Sequence, residues 1–261
     1  MLDRERNSRH IIAITIYMEN TIALTSQYIT KFYFTKVVLW LTVLVALYYS
    51  RKKDNTDHLY KILRVYLILE LTLGLIDNLI SPNPNINYEI KSYYINFSNS
   101  LIALTEFYFF SELYNRVFPS KYSYRLTRSL STFLLCFFVA IISNSFFNGT
   151  KFLLELTYAL GTIEFLFIFF LSLSYFISQI KIIPETNLFN RGSFWCFTGA
   201  LFYCAISAPF YIIGPNFPTG NSTFDLLLPA LLYYLPYSIL FVFITISLKC
   251  KTQIWNWFFS Q

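Results

Sequence analysis

Residues 62–80 read ILRVYLILELTLGLIDNLI, and the triplet Arg51-Lys52-Lys53 lies a short way upstream. About 20 mostly apolar residues, rising 1.5 Å each, cross the roughly 30 Å hydrocarbon layer of a bilayer, so this stretch is long enough to span one. The basic triplet before it marks the cytoplasmic end. Glu70 and Asp77 sit inside the run, seven residues apart, and therefore only about 20° apart around a helix of 3.6 residues per turn. Lipid on every side would not tolerate two carboxyls on one face. The expected span must have a side turned toward protein.

The rest of the chain extends that pattern. Of 261 residues, 56% are hydrophobic, 21% aromatic and only 13% charged, about half the charged share of an ordinary soluble domain. Too little polar material remains to cover a water-facing surface. The net charge of +6 does not point to nucleic acid, because the basic residues fall between apolar runs and not along one polar face. They read as charges that orient the chain in a membrane. Cys136, Cys196 and Cys204 fall inside apolar runs and Cys250 just past the last one, so no disulfide framework is visible and small buried hydrophobes are expected.

Seven spans follow in order, at about 32–50, 62–80, 97–118, 129–147, 152–180, 194–214 and 226–248. Prolines and asparagines at 81–94 are expected to form a loop before the third, and Ser120 to Arg128 a basic loop before the fourth. The fifth is long enough to tilt or project, and Lys36 is expected to snorkel outward from the first. The fold class is thus an all-α, multi-pass transmembrane bundle occupying 31–248, with an interfacial tail at 249–261 carrying Trp255 and Trp257. Residues 1–30 fit three descriptions: an eighth span, an amphipathic surface segment, or an extension ahead of a true start at Met18. Every connection is short, leaving no room for a soluble catalytic domain.

Orientation follows from counting. With the tail inside, twelve basic residues are cytoplasmic: Arg51, Lys52, Lys53, Lys61, Arg116, Lys121, Arg125, Arg128, Lys181, Arg191, Lys249 and Lys251; two, Lys91 and Lys151, lie opposite. That bias places the C-terminus in the cytoplasm and, for seven spans, residues 1–30 outside.

Six acidic residues fall within the expected spans: Glu70, Asp77, Glu106, Glu112, Glu155 and Glu164. A charged side chain at mid-bilayer costs about 2.5 to 3.5 kcal/mol on insertion scales. Glu70, Glu106 and Glu164 share a similar mid-depth in three helices, with no Lys or Arg at that level to pair them, so neutral, hydrogen-bonded carboxyls are expected. Tyr66, Tyr108, Tyr158 and Tyr203 are the candidate partners. These three acids, with Asp77 nearer the outer surface, are the candidate proton or ligand pathway; the plainer alternative is interhelical hydrogen-bond glue. Arg64, Glu112, Glu155 and Arg116 are secondary polar candidates, with Glu112 and Arg116 expected to pair at i,i+4 spacing. Pro209, Pro229 and Pro236 are candidate hinges in spans six and seven.

What is missing also discriminates. Span seven has no lysine for a retinal Schiff base, and the two histidines, His10 and His58, lie outside the spans, so neither that cofactor nor a histidine-held metal is expected. No nucleophile elbow, zinc-protease motif or phosphate loop appears, and no catalytic residue is assigned. Asn96, Asn148 and Asn221 open glycosylation triplets, which matter only on a eukaryotic secretory route.

At 194–212, FWCFTGALFYCAISAPFYI, and 101–119, LIALTEFYFFSELYNRVFP, the chain resembles uncharacterised bacterial seven-helix integral membrane proteins. The matching features are Phe194-Trp195, Gly199 and Leu201-Phe202-Tyr203, together with Glu106-Phe107, and the likeness runs from about 18 to 251. Such proteins are often neighbours of sensor histidine kinases. The resemblance therefore implies a bacterial inner-membrane sensor or signal-relay accessory, with the lipid bilayer and a membrane histidine kinase as partners. A small transporter coupled to protons or cations is the alternative. LTEFYFF at 104–110 echoes TIEFLFI at 162–168, and internal repeats are common in transporters.

Overall fold

A computed structural model describes residues 34–53, 56–80, 85–148, 150–182, 188–213 and 223–250. The segment 1–30, with its expected eighth span or alternative start, lies outside the described residues, as do Asn221 and the aromatic tail beyond 250. The described residues form seven α-helices and no strand: α1 (Phe34–Arg51), α2 (His58–Ile80), α3 (Tyr88–Val117), α4 (Lys121–Asn148), α5 (Thr150–Ile182), α6 (Gly192–Ile213) and α7 (Thr223–Lys249). A single 3-10 turn, Leu188–Asn190, precedes α6.

Three helices are long and apolar enough to cross a membrane: Phe34–Arg51, Lys121–Ser143 and Glu155–Gln179; Tyr234–Lys249 is a shorter apolar stretch. Their outward faces are apolar as well. Leu41 and Leu44 on α1, Phe133, Leu135 and Val139 on α4, and Phe170 on α5 are all exposed. In water so much exposed apolar surface would be an association hazard; in hydrocarbon it costs nothing.

Two helix starts differ from expectation for one reason. Helix α3 begins at Tyr88, inside the expected 81–94 loop, because Asn87 accepts a hydrogen bond from the Glu89 N–H and so caps it. Helix α4 begins at Lys121, inside the expected basic loop, where the Ser120 hydroxyl accepts from the Ser123 N–H. In both places polar residues extend a helix past its apolar stretch. Helix α5, at 33 residues, is about 50 Å long at 1.5 Å per residue, well beyond the hydrocarbon thickness.

α3 packs on α2, α4 and α5, and α6 lies between α5 and α7. Between α6 and α7 the contact is tight. A Cβ at Gly199 would sit 2.5 Å from Phe243 Cβ, so the absent side chain is what lets the two helices approach. Trp195 and Phe202, one turn to either side of Gly199, stack on the Phe243 ring with centroids 5.8 and 6.1 Å away. The aromatic and glycine positions of the resemblance thus form a packing seam. α6 runs unbroken through Pro209, and α7 through Pro229 and the buried Pro236.

One end of the bundle holds paired charges. Arg116 Nη1 lies 2.7 Å from both oxygens of Asp57, and Asp57 also accepts from the Leu59 N–H at the start of α2. This differs from the expected Glu112–Arg116 pair. Asp57 is already ordered as a helix cap, so the guanidinium meets it at little further entropic cost. Nearby, Asn115 donates to the Thr127 hydroxyl at 2.8 Å, and Ser123 donates back to the Asn115 carbonyl at 3.0 Å, tying α3 to α4. Lys249 stands 4.7 Å from the ring centroid of Tyr49, joining the ends of α7 and α1.

Candidate functional site

Buried polar side chains cluster where α2, α3, α5, α6 and α7 converge. Glu70, Glu106 and Glu164 are all buried, the last two at 0% and 1% exposure. The Glu106 carboxyl lies close enough to interact electrostatically with Glu70 on α2 and with Glu164 on α5. The two glutamates of the echoed Glu-Phe segments are thus both buried on helices that pack together, α3 and α5, with Phe107 and Phe167 meeting at 5.9 Å. Among the described residues no three acids, histidines or cysteines are gathered tightly enough to hold a metal ion.

Tyrosines close the cluster on the α6–α7 side. Tyr237 donates to Glu106 Oε2 at 3.2 Å and Tyr203 to the same oxygen at 3.4 Å. Tyr66, stacked on Phe109 and tilted against Phe241, lies beside the carboxyls without a well-formed hydrogen bond. One oxygen of each acid (Glu70 Oε2, Glu106 Oε1 and Glu164 Oε1) has no hydrogen-bond partner in the protein. A buried carboxylate left bare is far costlier than one that carries a proton or faces a cation.

Of the expected tyrosine partners, Tyr203 is in place, whereas Tyr108 points outward and is 47% exposed. Tyr237 was not foreseen. It follows Pro236 in a run, Tyr233-Tyr234-Leu235-Pro236-Tyr237, where nothing in one chain tells which ring faces inward.

Beside the cluster lies an open cleft of about 280 Å³, walled by α1, α2, α3 and Tyr234 of α7. Asp77 and Glu70 both line it, on the same side of α2, as their seven-residue spacing requires. Lys36 does not snorkel outward as expected. The residue is only 6% exposed and its ammonium reaches Asp77 Oδ2 at 2.8 Å and Asn78 Oδ1 at 3.0 Å. A carboxylate at hand offsets the desolvation that snorkelling would otherwise avoid. Asn99 lines both this cleft and a second, water-sized cavity of about 10 Å³ that also touches Glu164, Tyr237 and Thr157. Polar groups thus extend from the open cleft to the buried acids.

The secondary candidates stand apart from this centre. Arg64 and Glu112 are half-buried, Glu155 is exposed, and Arg116 belongs to the Asp57 pair at the far end. Asn96, the first residue of a glycosylation triplet, is buried inside α3 and donates to the Ser92 carbonyl at 2.8 Å. Comparison of the chain with protein-family models, with characterised proteins and with solved structures gave no match.

Proposed function

We propose that this chain is a multi-pass protein of the bacterial inner membrane, with seven spans and a cytoplasmic C-terminal end, whose buried carboxyls carry protons across the bilayer, with or without a small solute in the adjoining cleft. The observation that carries the proposal is the continuity of polar groups from the open cleft to three acids, each with an unmatched oxygen. Interhelical glue would be expected to satisfy its own hydrogen bonds; a proton site needs a vacant oxygen. In this scheme Glu70 exchanges protons with the cleft, and Glu106, held by Tyr203 and Tyr237, passes them toward Glu164. Twelve basic residues against two support the orientation.

The test is proton entry into sealed liposomes carrying the purified protein, read with an internal pH dye under an imposed membrane potential. Wild-type protein should admit protons faster than empty liposomes, and Glu106→Gln should return the rate to the empty baseline. Equal rates for wild-type and empty liposomes would refute the proposal. In a second reading the same site is the input of a signal-relay accessory that acts through a membrane histidine kinase. The resemblance favours it, and recovery of such a kinase by cross-linking in intact membranes would support it.

A further inference from the structure

The cleft between α1, α2 and α3 is chemically uneven. At its outer part the charges cancel, with the Lys36 ammonium against Asp77 and Asn78. Two helical turns along α2, about 10 Å at 1.5 Å per residue, Glu70 lines the same cleft, nine-tenths buried and with Oε2 unpartnered. Glu70 takes part in no ion pair among the described residues. A single negative charge is therefore the one the cleft leaves unbalanced when Glu70 is ionised.

The walls suit a positive guest. Trp40 lines the cleft against Gly74, where a Cβ would come within 3.0 Å of the indole Nε1. Tyr234 lines it too, and already has one ammonium near its ring, with Lys36 Nζ 5.8 Å from the centroid. Aromatic faces beside a carboxyl attract ammonium groups through the ring quadrupole. A volume of about 280 Å³ is at the small end of ligand sites. A zwitterion fits less well, since Lys36, the cation nearest to hand for its carboxylate, is engaged with Asp77.

We infer that this cleft binds a small organic monocation, with its ammonium against Glu70 and with Trp40 and Tyr234 as aromatic walls. The inference rests on the carboxyl-site reading above and names the class of solute that site would take.

The test is calorimetric titration of the purified full chain in lipid nanodiscs with tetramethylammonium, with neopentyl alcohol as a neutral analogue of similar bulk and glycine betaine as zwitterion. Tetramethylammonium should bind, and Glu70→Gln should weaken it about tenfold or more, equivalent to about 1.4 kcal/mol. Trp40→Leu should weaken it several-fold. Gly74→Ala leaves Glu70 in place but displaces the indole, and should also weaken binding. The absence of heat with tetramethylammonium would overturn the inference, as would equal binding of neopentyl alcohol or betaine, or unchanged affinity in folded Glu70→Gln protein. Proton entry measured with no organic cation present tests the carboxyl reading alone, so the two failures are separable.

Discussion

Helix α6 takes part in two regions of opposite character. Trp195, Gly199 and Phe202 form a seam in which Phe243 fills the space that a Cβ at Gly199 would need. From the same helix Tyr203 reaches Glu106, in a region where carboxyl oxygens stand unmatched. Close packing holds the first together, with no charge involved. The second keeps polar capacity that folding alone does not use. A bundle can tolerate such an unsatisfied centre only if neighbouring seams supply the stability, and that division separates residues that hold the fold from residues free to bind.

The contrast predicts opposite consequences of substitution. The largest effect is expected at the seam, where Gly199→Leu should abolish recovery of folded protein from membranes. Gly199→Ala should cost about 1 to 3 kcal/mol, the usual range for overpacking, read as a lower melting temperature in detergent. At the centre, Glu106→Gln should leave the melting temperature unchanged or raise it, while proton entry into liposomes falls at least tenfold. Loss of folding there would merge the two regions into one structural core. The smallest effect is expected at the paired end, where Arg116→Ala should cost about 1 kcal/mol, near the upper end for partly exposed ion pairs. Raising salt should shrink that difference, because the Arg116 side chain is 31% exposed.

Much of the fold was legible in the chain, because a bilayer demands apolar runs of a set length. The helices described coincide with the expected runs at their apolar middles and depart from them at their ends. Tyr88 to Tyr94 reads as the end of a proline- and asparagine-rich loop and Lys121 to Arg128 as a basic one, yet capping by Asn87 and Ser120 carries the helices through. The burial of Glu70, Glu106 and Glu164 was also foreseeable, since an acid inside an apolar run has to be turned toward protein. Pairings between distant helices were not. Nothing near Lys36 in the chain marks Asp77, 41 residues on, as its partner, and a run of tyrosines does not tell that Tyr237 is the one turned to Glu106. Arg116 illustrates the opposite error, in which the nearest acid along the helix lost to a cap residue 59 positions away.

The central claim is the proposed one: α3 holds Glu106 buried inside the bundle and, as a proposed span, turns the exposed Tyr108 to lipid. Carbene labelling of the wild-type protein, from a photoreactive diazirine dissolved in the bilayer, tests this with no substitution. Peptide mass analysis should find label on Tyr108, Phe133 and Val139 and none on Glu106 or Glu164. Label on either glutamate would put the acid in contact with lipid and contradict the account.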